Sequence, residues 1–163
     1  MREQDAPTEP VDAPLVSASV TLPEITLKAV VLSILLAAVL AGANAYLGLF
    51  AGMTVSASIP AAVVSMAVLR LFRQSNILEN NIVQTAASSG EALAAGVIFT
   101  IPGLVLIGYW TSFDYWQTFT VSLVGGVLGV LFTIPLRRAL IIHARLRFPE
   151  GVATAEVLKV GAS

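Results

Sequence analysis

Residues 76–91, NILENNIVQTAASSGE, carry the side chains most able to do chemistry. At helical spacing Asn76, Asn80, Gln84 and Ser88 share one face, and Asn81, Thr85 and Ser89 form a second polar row beside it. Ile77, Leu78, Ile82 and Val83 lie on roughly the other side. At membrane depth, hydrocarbon cannot satisfy these amides and hydroxyls, so they must face protein, water or a solute. One reading is the lining of a pathway. The other is an amphipathic helix at the membrane surface with its polar side in water. Asn76 with Glu79, and Ser88 with Glu91, both have capping-box spacing, which gives each carboxylate a purely structural reading. Two helix starts so close together predict a short helix, a break at Ser88-Ser89-Gly90 and then a new helix. Discontinuous transporter helices have this form, with helix N-termini aimed at a solute.

The elements that must hold this segment are membrane spans. Of the 163 residues, 56% are hydrophobic and only 12% charged, against ~25% charged in soluble domains. The sequence predicts an all-α membrane protein with about four transmembrane helices plus a short re-entrant or interfacial polar helix over 76–88. The spans fall at about 27–50, 53–71, 92–110 and 118–136. Residues 1–24, acidic and proline-rich, are expected to be a disordered cytoplasmic tail. They lack the basic start of a secretory signal.

Within the spans, Gly48 and Gly52, and Gly125 and Gly129, have GxxxG spacing, which permits close helix packing. Pro60 and Pro102 are kink sites. Asn44 has an interhelical hydrogen bond or solute contact open to it. Tyr109, Trp110, Phe113, Tyr115 and Trp116 mark a membrane–water interface. Pro149 reads as a helix start with Glu150 in the first turn.

Basic residues set the orientation. Arg70, Arg73, Arg137, Arg138, Arg145, Arg147 and Lys159 all share the side of the N-terminus if there are four spans. The opposite connections, around 50–53 and 111–117, carry no Lys or Arg. Both termini are therefore expected in the cytoplasm. Segment 76–91 must then enter and leave on one side.

Several function classes are excluded. There is no cysteine, hence no thiolate metal site. The lone His143 lies in a basic cluster outside the spans, so neither a metal ligand nor a Ser–His catalytic pair is offered. No cofactor is implied and no enzyme is expected. No basic face interleaved with aromatics suits nucleic acid.

Four stretches carry a resemblance: NAYLGLFAGMTVSASIPAAV (44–63), NILENNIVQTAASSGEALAAGVIFTIP (76–102), IPLRRALI (134–141) and FPEGVATAEVL (148–158). With them the chain resembles the N-terminal part of the oligopeptide transporter family, on its yellow-stripe-like side. The resemblance implies transport of small peptides or peptide-like metal chelates across the plasma (inner) membrane, driven by a proton gradient. It also implies that residues 25–163 open a much longer polytopic domain. Its partners would be the lipid bilayer, the solute, and the remaining transporter helices or further copies of the chain. By position, Asn80, Asn81, Gln84, Thr85 and Ser88 are the expected solute contacts, with Asn44 and Tyr46 across from them. Glu79 and Glu91 are the expected proton-coupling groups, since an ionised carboxylate near mid-bilayer costs about 2.5–3.5 kcal/mol. The competing expectation, motivated by the short chain, is a small four-span interaction or assembly module without transport of its own.

Overall fold

The computed structural model describes residues 15–17, 19–72 and 75–162, so most of the expected tail and Arg73 lie outside the described residues. Five α-helices follow in order: α1 Leu27–Ala51, α2 Ser58–Leu69, α3 Ile77–Leu106, α4 Tyr115–Arg137 and α5 Pro149–Ala162. A π-helical turn, Arg138–His143, extends α4. Among the described residues there is no strand.

Three helical segments are long and apolar enough to cross a membrane: Leu27–Ala51, Ile77–Leu106 and Tyr115–His143. The expected count of four is not met in that form. The second span, expected over 53–71, is a 12-residue helix preceded by non-helical chain at 53–57. Such a helix covers about 18 Å against a hydrocarbon core of about 30 Å. Pro60 does not kink it. It falls in the first turn, where no intrahelical N–H bond is lost.

The expected separate helix at 76–88 is also corrected. Asn76 caps α3 with the full reciprocal box, accepting from Leu78 N–H and Glu79 N–H at 2.9 and 3.0 Å. The helix then runs unbroken through Ser88-Ser89-Gly90 to Leu106, joining the polar stretch to the third expected span. The second capping-box spacing is unused because its side chains turn outward. Ser88 bonds Ser58, and Glu91 accepts from Ala57 N–H. Residues 76–91 are therefore the first half of one continuous 30-residue helix and not a separate short one.

Contacts fix the helix directions. Thr26 meets Glu79, Ala37 meets Gly90 and Ile98 meets Gly48, so α1 and α3 run parallel. Ser65 bonds Asn80 and Ser58 bonds Ser88, so α2 runs antiparallel to α3. Ser56 bonds Glu150 and Met66 packs on Gly161, which makes α5 parallel to α2. The short connection 107–114 returns α4 antiparallel to α3, with Gly126 on Leu93. The core is small: Ala29, Leu69 and Val83, flanked by Leu32 and Leu36. Lys28, Arg70, Arg137, Arg138 and Lys159 thus share one end, and the aromatic girdle around Asp114 marks the other.

Close approach of α1 and α3 depends on Gly90. A Cβ there would sit 3.0 Å from Ala37 Cβ and 3.2 Å from its carbonyl oxygen, which is backbone and cannot swing away. Gly90→Val is expected to push the pair apart and to destabilise by about 1–3 kcal/mol. Gly42→Ala, with nothing within 4 Å of the added carbon, should not. Melting temperature in detergent checks both; equal temperatures would remove Gly90 from the packing.

Candidate functional site

The site starts from a break in helical backbone. Gly52 ends α1 in the left-handed region (φ 70°), which costs other residues strain. The chain then folds back along α1 in non-helical form. Buried Asn44 holds it there: Val55 N–H donates to Asn44 Oδ1 at 3.0 Å, and Asn44 Nδ2 donates to Val55 O at 2.8 Å. One side chain supplies both hydrogen bonds that a ladder would have given this residue. As a result, the N-terminus of α2 lies beside Ser88 and Glu91. That is the depth at which Ala37 packs on Gly90, near the middle of α1.

Three elements converge at this depth. From α3, Glu91 Oε2 accepts from Ala57 N–H at 3.4 Å, and Ser88 shares a 3.0 Å hydrogen bond with Ser58. From α5, Glu150 Oε1 accepts from the Ser56 hydroxyl. Ser56 Oγ also lies 3.4 Å from Ser58 Oγ. Ala57 and Ser58 are buried. A helix N-terminus carries partial positive charge, and both carboxylates sit where that charge favours them. Such a cluster can stabilise negative charge and can take up or release protons through two carboxylates and three hydroxyls.

The site residues expected from sequence are divided by this geometry. Asn80 and Ser88 are bonded to α2, Asn80 accepting from Ser65 at 3.1 Å. Gln84 lies between them, half-buried. Asn81 and Thr85 are exposed on the second row, Thr85 donating to Gln84 Oε1 at 3.4 Å. Asn44 is spent on Val55, the hydrogen-bonding alternative of its two readings. Tyr46 is not brought to the polar rows: it is 71% exposed and stacks on Phe50.

The two expected proton-coupling glutamates are also separated. Glu79 is fully buried at the start of α3, with Thr26 Oγ1 donating at 2.6 Å, Lys28 Nζ at 3.1 Å and Asn76 N–H at 3.3 Å. Those partners give it a capping and ion-pairing role. Glu91 is half-buried in the central cluster. Ser56, Ser58 and Glu150 were not singled out for the site. The signal available for them was a pair of helix starts, SASIP and FPEG, each following residues that have no cap of their own in an apolar region.

A groove of about 510 Å³ also runs between α3 and α4, walled by Ser89, Gly96, Thr100, Gly125 and Gly129 among others. Its hydroxyls are turned onto their own helices: Ser89 onto Ala86 O, Thr100 onto Gly96 O.

Comparison with known proteins gives this arrangement its family. Residues 24–163 match the model of the OPT oligopeptide transporter protein. The chain belongs to the OPT oligopeptide transporter family. OPT proteins are transporters, not enzymes. A Haemophilus influenzae protein named "Putative oligopeptide transporter" is 60% identical over 116 residues, covering 71% of this chain and 18% of its own length. A Saccharomyces cerevisiae protein of the same description is 28% identical over 160 residues, covering 85% of this chain and 22% of its own. The chain spans about a fifth of the length of the curated OPT relatives it matches. No solved structure matches it.

Asn44 gives the clearest test of how the site is held. Asn44→Leu removes both hydrogen bonds to Val55, at about 0.5–1.5 kcal/mol for each. The variant should melt well below the unaltered protein, whereas Tyr46→Leu, on an exposed face, should melt within about 0.5 kcal/mol of it. Matching melting curves for Asn44→Leu and the parent would refute the clamp.

Proposed function

We propose that this chain is a membrane-embedded segment of a proton-coupled transporter for small peptides, with the solute meeting the polar side of α3. The observation that carries this is the N-terminus of α2, held at mid-helix depth beside Glu91, Ser88 and Ser58. Half-helix N-termini at such depths face anionic groups of transported solutes in other carriers. Peptides bring a terminal carboxylate and a row of amides. Gln84, Asn81 and Thr85 offer matching donors and acceptors one or two turns away on the same helix. Asn80 and Ser88 form the base of this surface, linked to α2, and Asn44 supports it from α1. A peptide-like metal chelate is the other solute class, since a chelate carries its own metal ligands. Placement on the yellow-stripe-like side of the family rests on the four sequence stretches quoted above.

Proton coupling is assigned to Glu91, with Glu150 as the second carboxylate at the same helix end. Glu91 is half-buried there and accepts one long hydrogen bond, from Ala57 N–H. Glu79 already has Lys28 for that charge and so serves packing. The positive-inside rule puts the end bearing Lys28, Arg70, Arg137 and Arg138 in the cytoplasm of a plasma (inner) membrane. Further transporter helices are the partners proposed for the exposed faces of α3 and α4.

Uptake of a labelled tripeptide by the intact protein in proteoliposomes, with and without an inward acid gradient, tests the reading. Glu91→Gln should lose gradient-driven uptake but keep exchange of peptide at equal pH. Gln84→Leu should lose both, and each variant should insert normally. Normal gradient-driven uptake by the two variants would sink the assignment.

A further inference from the structure

Two stretches of non-helical backbone reach the middle of the molecule, and they arrive from opposite ends. The first, residues 53–57, comes from the aromatic end, where α1 stops at Gly52. The second, residues 145–148, comes from the basic end. α4 and α5 run in the same direction, so the chain between them must double back. From Gly126, level with Leu93, the chain descends about 20 Å to Leu140 at helical rise. There Leu146 N–H bonds Leu140 O, so the chain has already reversed. Residues 145–148 are non-helical and lead back up to the start of α5 at Pro149. This leaves Glu150 near the depth of Ser88, where it accepts from Ser56. The re-entrant element of this chain is thus 144–162, with Glu150 near its tip.

Lipid does not tolerate bare non-helical backbone; at membrane depth it occurs only against protein or along water. The climbing segment carries Arg145 and Arg147, both exposed, which opens it to water from the basic end. Val55 and Ser56 on the other segment are exposed too. We propose that segments 53–57 and 145–148 wall two water-filled half-pathways, entering from opposite faces and closed on each other at the Ser56–Glu150 contact. This deepens the transport reading and rests on it: the contact is the barrier between the two sides, and the half-helices α2 and α5 are its jaws.

Impermeant-maleimide labelling of the intact protein in right-side-out and inside-out vesicles tests this. The chain has no cysteine, so Val55→Cys and Arg147→Cys report singly within it. Val55→Cys should react only from the aromatic-end side and Arg147→Cys only from the basic-end side. Adding Glu150→Ala should abolish that sidedness, so that each cysteine reacts from both sides. Ser56→Ala, which removes the same contact while sparing the first turn of α5, should do likewise. Unreactive cysteines, sidedness opposite to that stated, or sidedness surviving both contact variants would overturn the proposal. No solute is needed for the readout. Failed peptide uptake with the expected labelling removes the peptide reading alone, and normal uptake with failed labelling removes the gate alone.

Discussion

Every backbone N–H and C=O at membrane depth must find a partner inside the protein or in trapped water, and an orphan there costs several kcal/mol. Helices meet this constraint internally; the chain over 53–57 does not. The Asn44 carboxamide meets it at Val55 with one donor and one acceptor. Because that segment can remain non-helical, α2 starts beside Ser88 and Glu91 instead of at the membrane surface. The serine and carboxylate cluster, the seat of Glu150 and the short length of α2 all follow from this placement. A leucine at position 44 would suit a packed apolar helix better by hydrophobicity, and yet it would leave Val55 without partners.

The same physics separates two glutamates that look alike in sequence. Both lie three residues after a capping residue type, and both lie on α3. Glu79 is at the helix start, where Asn76 takes the N-terminal amides and Lys28 neutralises the carboxylate from one turn of the parallel α1. A buried ion pair with further hydrogen bonds is costly to break. Glu91 has a long bond to one amide, with a helix end and hydroxyls nearby. Sequence spacing alone therefore does not separate the two carboxylates; their partners do.

The fold class, the start of α3 at Asn76, the extents of α1 and α4, and the start of α5 at Pro149 were legible in sequence. Apolar run length, the capping box and proline position are local signals. Continuity through Ser88-Ser89-Gly90 was not legible. Local rules favour a break at Ser-Ser-Gly, and what removes it is non-local: Ala37 fills the space beside Gly90, and α2 takes the Ser88 and Glu91 side chains. The second span was misjudged for a related reason. MTVSASIPAAVVSMAVL is apolar throughout, and hydropathy does not separate a non-helical half from a helical one. Only the partner at Asn44 does. The polar rows were read correctly as helical faces, but which polar atoms would be used up between helices depended on the antiparallel register of α2 against α3.

That register has a further consequence for the two rows. The first row, Asn80, Gln84 and Ser88, faces α2, and its two ends are tied to Ser65 and Ser58. The second, Asn81, Thr85 and Ser89, is exposed, with α5 near Asn81 and α4 near Ser89. Thr85 bonds its neighbour Gln84 and Ser89 bonds Ala86 O, but the Asn81 carboxamide can satisfy four hydrogen bonds and these neighbours leave it exposed. Turned to lipid, an uncompensated amide costs more than the packing of one helical residue returns. The second row therefore needs water, solute or another polar helix against it. The first row fixes where α2 stands, so the second, on the same helix, is the polar face of α3 left exposed.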